Sequence, residues 1–103
     1  MYGTIARLTI KPGKEEALKQ LGREISAQIP GLISEYVYRT DAKPDELYLV
    51  VIFESEQAYR DNASSPEQHA RYEQYRELLA AEPEWHDGHV IDAFHAAAAA
   101  ARA

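Results

Sequence analysis

His69 and Tyr72 lie three positions apart in a segment of helical spacing, which puts an imidazole and a phenol on one helix face. Over an apolar sheet such a pair can move a proton; alternatively it packs and meets solvent. Seven tyrosines stand in the 103 residues. Tyr36, Tyr38, Tyr59, Tyr72 and Tyr75 are candidates to line a cavity between sheet and helices, an apolar pocket with a few hydroxyls that suits a flat aromatic ligand. The alternative is that they fill the core edge and a subunit contact. Trp85, just after Pro83, is expected to plug the end of the fold. Arg7 is expected to pair with Glu35 across the sheet, with binding of an anionic substrate as the alternative. His86 and His89 stand at i and i+3 on a predicted strand, so they point to opposite faces. They make poor partners for one metal unless Gly88 introduces a bulge. His95 falls in the tail and is expected to be exposed. The chain carries no P-loop, no GxGxxG and no HExxH signature.

The elements that must position these residues follow from periodicity. Residues 1–10 alternate as a strand, and Lys11-Pro12-Gly13 marks a turn. Leu18, Leu21, Ile25 and Ile29 then recur at helical spacing, with Gly22 either allowing close approach to a neighbour or simply tolerated, and Pro30-Gly31 ending the helix. Residues 32–40 and 46–53 read as strands. Both faces of 46–53 are apolar, so both need cover, and a second subunit is the simplest cover for a sheet with helices on one side. Ser55 caps a short helix over 56–62. Ser65-Pro66 starts another that carries His69, Tyr72, Tyr75, Leu78 and Leu79 and stops at Pro83. Residues 85–94 read as a last strand. The order β-α-β-β-α-α-β predicts a ferredoxin-like α+β sandwich: a four-stranded antiparallel sheet with helices on one face, dimeric through its other face. One domain is expected over 1–95, followed by an Ala-rich tail over 96–103.

Composition narrows the function. Eleven Lys+Arg against seventeen Asp+Glu give a net charge of −6, which argues against nucleic acid or an anionic membrane as partner. The absence of cysteine excludes disulfides, thiolate zinc and iron–sulfur clusters. No apolar run approaches the roughly 18 residues of a membrane span. The sequence starts directly into patterned residues without a signal peptide, so a cytoplasmic location is expected.

The segments IARLTIKPGKEE, PGLISEYVYR, FESEQAYRDNASSPEQHARY and PEWHDGHV carry a resemblance. Over roughly residues 2–94 the chain resembles the antibiotic biosynthesis monooxygenase domain family of small dimeric α+β barrels. That resemblance implies cofactor-independent oxygenation of anthrones or quinols, in which the deprotonated substrate reacts directly with O2 in an enclosed apolar pocket. In the actinorhodin-pathway type the implied set is Asn, Trp and Tyr. Aligned through ESEQAYR, those positions are Leu49, Phe53 and Tyr59 here, so only the Tyr is kept. The haem-degrading branch uses Asn, Trp and His at positions that are Ala6, Asn62 and Tyr72 here, and none is kept. Quinol-type members carry a His where Asn62 stands.

The expected function is therefore a cofactor-independent monooxygenase, without metal or flavin, acting on a small aromatic molecule with O2. Tyr59, His69 and Tyr72 are the candidate catalytic residues. Asn62, Phe53, Leu49 and Tyr36 are the candidate substrate contacts. The alternatives are a non-catalytic small-molecule-binding dimer and a proton-transfer isomerase on the same scaffold.

Overall fold

The computed structural model describes residues 1–96; the Ala-rich tail expected beyond the domain lies outside the described residues from 97 onward. The elements are β1 (Tyr2–Thr9), α1 (Glu15–Ser26), β2 (Leu32–Arg39), β3 (Glu46–Phe53), α2 (Glu56–Ala63), α3 (Pro66–Leu78) and β4 (Glu84–His89). All strand pairs are antiparallel, in the order β2-β3-β1-β4. This is the expected ferredoxin-like α+β fold. No helix among the described residues is long and apolar enough to cross a membrane.

Strand alternation decides which side chains meet the helices. On β1, Tyr2, Thr4, Ala6 and Leu8 are buried on the helix side, while Ile5 and Arg7 are exposed on the other. Leu8 and Ala6 join Ile10, Leu18, Leu47 and Leu79 in the core. Leu79 arrives there because α3 stops at Leu78, short of the expected stop at Pro83. Leu79 turns extended and bridges Ile10, with Lys11 N donating to Leu78 O and Ala80 N to Thr9 O. Burying Leu79 outweighs one more helical turn.

The loops and caps follow the sequence signals. Ser55 Oγ accepts from Ala58 N, and Ser65 Oγ accepts from Gln68 N with Pro66 at the first helical position. Gly31 has φ 78°, and a Cβ there would stand 2.8 Å from Ala58 Cβ, so the α1–β2 turn needs glycine twice over. Gly22 is buried against Glu35 and Tyr75, whose side-chain tips would stand 3.4 Å from a Cβ placed there, so the packing does not demand glycine.

Three expectations are corrected and one, the opposite facing of His86 and His89, holds. β4 ends at His89 rather than 94, because its partner β1 ends: Tyr2 pairs with His89 and Val90 N reaches Met1 O, beyond which no strand remains to pair. Gly88 makes no bulge, since β4 keeps regular register with β1 throughout, and His86 and His89 stay on opposite faces. Arg7 does not meet Glu35. It lies on the open face and pairs with Glu84 and Glu46, whereas Glu35 faces the helices. Trp85 does not plug the fold. On edge strand β4 it is 47% exposed and lies beside Tyr72 with ring centroids 6.4 Å apart.

β2 carries an irregularity between Leu32 and Ser34. Leu32 pairs with Phe53 and Ser34 with Ile52, so one extra residue flips the phase of everything that follows. Glu35 and Val37 turn to the helix side. Tyr36 and Tyr38 turn to the open face, where they are 59% and 61% exposed.

Glycine spacing gives a direct check. A Cβ on Gly3 would fall 1.8 Å from Val51 O, a backbone atom of the paired strand, whereas one on Gly88 meets nothing within 4 Å. Gly3→Ala is expected to cost about 1–3 kcal/mol in urea denaturation and Gly88→Ala under about 0.5 kcal/mol.

Candidate functional site

A cleft of ≈ 470 Å³ lies between the helix side of the sheet and the three helices. Leu8, Leu49, Val51 and Phe53 form its apolar floor, and Ile25 and Ile29 one wall. Its polar points are few. Glu35, Thr4 and Asp87 rise from the sheet, while Tyr59, Asn62, His69, Tyr72 and Tyr75 come from α2 and α3. A smaller cleft of ≈ 310 Å³ under α1 shares Leu8, Glu35, Leu49 and Tyr75 with it.

Tyr59 is the most firmly held polar group. The Ser55 cap sets the start of α2, and the Tyr59 ring packs edge-on to Phe53 at 5.5 Å and tilted against Tyr2 at 5.2 Å. The Arg60 guanidinium lies over both tyrosine rings at 5.5 and 5.9 Å. Tyr59 Oη donates to Asp87 Oδ1 at 2.8 Å. Burial, then the hydrogen bond and charge of Asp87, push the Tyr59 phenol up to about 12, with the Thr4 hydroxyl nearby acting the other way. At neutral pH this group is a committed donor to Asp87 that still offers oxygen lone pairs to the cleft. Thr4 Oγ1 is buried without a hydrogen-bond partner.

The remaining expected residues divide by position. Asn62 lines the cleft with its amide tied at both ends: Nδ2 donates to Gln68 Oε1 and Oδ1 accepts from Arg71, each at 3.2 Å. Leu49 and Phe53 are floor residues. His69 sits on the rim, with its side chain 77% exposed and Nε2 3.1 Å from Glu73 Oε1. Tyr72 donates to Glu82 Oε2 at 2.7 Å, which raises its pKa, with burial adding to the effect. Tyr75, which also lines the cleft, is raised by burial first and by the Glu35 charge second. Tyr36 and Tyr38 do not join the cavity, because the irregularity in β2 turns both to the opposite face.

Sequence reading missed Thr4, Glu35 and Asp87 as cleft residues. Asp87 lies opposite Thr4, Thr4 opposite Val51, and Val51 opposite Glu35, so the four form one row across the sheet. Only the register brings them together. The FESEQAYR stretch was the signal for Tyr59; nothing local marks the other three. Among the described residues no three His, Asp or Glu side chains converge to hold a metal ion.

The family model described as "Antibiotic biosynthesis monooxygenase" matches residues 1–74. A Chloroflexus aurantiacus structure carrying the same family name superposes with a TM-score of 0.74 at 24% identity, covering 91% of this chain and 96% of its own. A Bordetella bronchiseptica structure of that name gives 0.73 at 22% identity, covering 87% and 96%. A Mycobacterium tuberculosis structure gives 0.70 at 23%, covering 89% and 96%. No curated protein matches the chain.

The raised tyrosines make alkaline stability a measure of the site. A free tyrosine loses its proton near 10 and Tyr59 near 12, so between these values the unfolded chain binds fewer protons than the folded one. Stability is fully present below pH about 10 and falls as pH rises toward about 12. Denaturant melts at stepped pH should show a shallower fall for Tyr59→Phe. In Asp87→Asn, absorbance titration should place Tyr59 lower than in the wild type, yet still above an ordinary tyrosine, because burial remains.

Proposed function

The chain belongs to the antibiotic biosynthesis monooxygenase family, and from that premise we propose that the cleft is the substrate site of a monooxygenase acting on a small aromatic molecule with O2. The observation that carries the reading is a largely apolar cleft in which the Tyr59 phenol is fixed by Asp87. In this chemistry the substrate supplies the electrons. A ring CH2 made acidic by a neighbouring carbonyl loses a proton, and the carbanion adds O2. Collapse of the resulting hydroperoxide leaves one oxygen atom as a ketone and releases the other as water. The protein's part is to exclude water, orient the ring and hold the substrate oxygen.

Tyr59 is the orienting group, since its proton is engaged by Asp87 and its oxygen is free to accept from a substrate hydroxyl. His69 on the rim and Tyr72 are the candidates for taking the substrate proton, His69 beside Glu73 and Tyr72 through Glu82. Asn62 is a second polar contact. Oxygen uptake with anthrones and quinols, in the presence of a chelator, should saturate above the protein-free rate. Tyr59→Phe should lower kcat/KM by about tenfold to a hundredfold. Uptake no faster than autoxidation across the panel would sink the oxygenase reading. Apolar Leu49 and Phe53, at positions where the actinorhodin-type set is polar, favour a second reading as a binder without turnover. Ligand-raised melting temperature without product would support that alternative.

We also propose a homodimer through the open sheet face. Ile5, Tyr36 and Tyr38 lie exposed there beside Val50 and Ile52. The same face carries Arg7 with Glu46 and Glu84, so both charge signs are present, as a twofold contact of a surface with itself requires. Sedimentation should give twice the 11.6 kDa chain mass, and Ile5→Glu should shift the protein toward monomer. A wild-type monomer at micromolar concentration would refute the contact.

A further inference from the structure

We infer that the cleft selects an uncharged ligand with a hydrogen-bond donor at each of two ends, one read by Glu35 and the other by Asp87. The inference rests on the reading of this cleft as the ligand site. Glu35, Val51, Thr4 and Asp87 belong to four different strands and form a single row across the sheet. All four line the cleft. Strand spacing puts the backbones at the ends of that row about 14 Å apart. A carboxylate therefore stands at each end of the floor, with an apolar residue and a threonine between them.

Each carboxylate has one oxygen engaged and one unengaged among the described residues. Ser26 Oγ donates to Glu35 Oε2, while Oε1 accepts nothing. Tyr59 Oη donates to Asp87 Oδ1, while Oδ2 accepts nothing. An ionised carboxylate can only accept, so each end asks for a donor. Between them the Thr4 hydroxyl, in a residue only 4% exposed, has no partner. Buried hydroxyls are normally paired, so this one marks a polar point that the protein alone leaves incomplete. No Lys or Arg lines the cleft. An anion entering it would lose water and meet two carboxylates, with no cation in the lining itself to offset them. A flat neutral molecule of about two or three fused rings with a hydroxyl at each end matches the row, allowing a hydrogen bond at either end.

The test is calorimetric titration of the full chain with three probes. They are a dihydroxynaphthalene with hydroxyls on opposite rings, its dimethyl ether, and the corresponding hydroxynaphthoate. The diol should bind, and the ether and the naphthoate should each bind at least about tenfold more weakly. Glu35→Gln and Asp87→Asn should each weaken the diol about tenfold and tighten the naphthoate. Asp41→Asn, the same charge change in the β2–β3 loop, should move neither. Opposite shifts for two ligands cannot come from misfolding, and the ether comparison needs no variant. Equal binding of diol and ether, or tightest binding of the naphthoate, would overturn the two-donor inference and leave the cleft as a ligand site. Binding of none of the three would overturn both.

Discussion

The site depends on the alternation of β1, a central strand whose cleft-facing and open-facing residues are paired on both sides. β3 flanks it on one edge and β4 on the other, so its phase is imposed on three of the four strands. Tyr2, Thr4, Ala6 and Leu8 turn to the helices, and their partners on β3 and β4 must turn with them. A slip of one residue would send Thr4 to the open face and bring Arg7 under the helices. The buried side of β1 holds only uncharged side chains, which fixes the register against a slip that would bury Arg7.

The electrostatics of the molecule follow the same division. On the open face charges are paired in the plane of the sheet, Arg7 with Glu84 and Glu46, and His86 Nε2 lies 2.9 Å from Glu84 Oε1. On the helix side, no Lys or Arg enters the cleft lining, and its polarity comes from hydroxyls set between the Glu35 and Asp87 carboxylates. Tyr59, Tyr72 and Tyr75 all sit beside a carboxylate, and each is held in its neutral form by that neighbour together with burial. The consequence is a surface of phenol oxygens that can accept or donate without carrying charge.

Much of this was legible in the residues. Helical and strand periods, the Ser55 and Ser65 caps and the two glycine turns place every element, and FESEQAYR places Tyr59. Two kinds of information were not local. One is register: Thr4 and Asp87 are far apart in the chain and meet only because β1 lies between β3 and β4. The other is phase. Leu32 to Arg39 reads as a plain alternating strand, and nothing in its composition announces the extra residue after Leu32 that turns Tyr36 away from the cleft and Glu35 into it. The end of β4 was misjudged for a related reason, since a strand's length is set by its partner as much as by its own residues.

Trp85 stands at the cleft rim against Tyr72, half open to water, and it is the chain's sole tryptophan. A molecule entering the cleft replaces water around the indole. The protein therefore carries its own fluorophore at the mouth of the proposed ligand cleft, where intrinsic emission colour and quenching would report occupancy without a label.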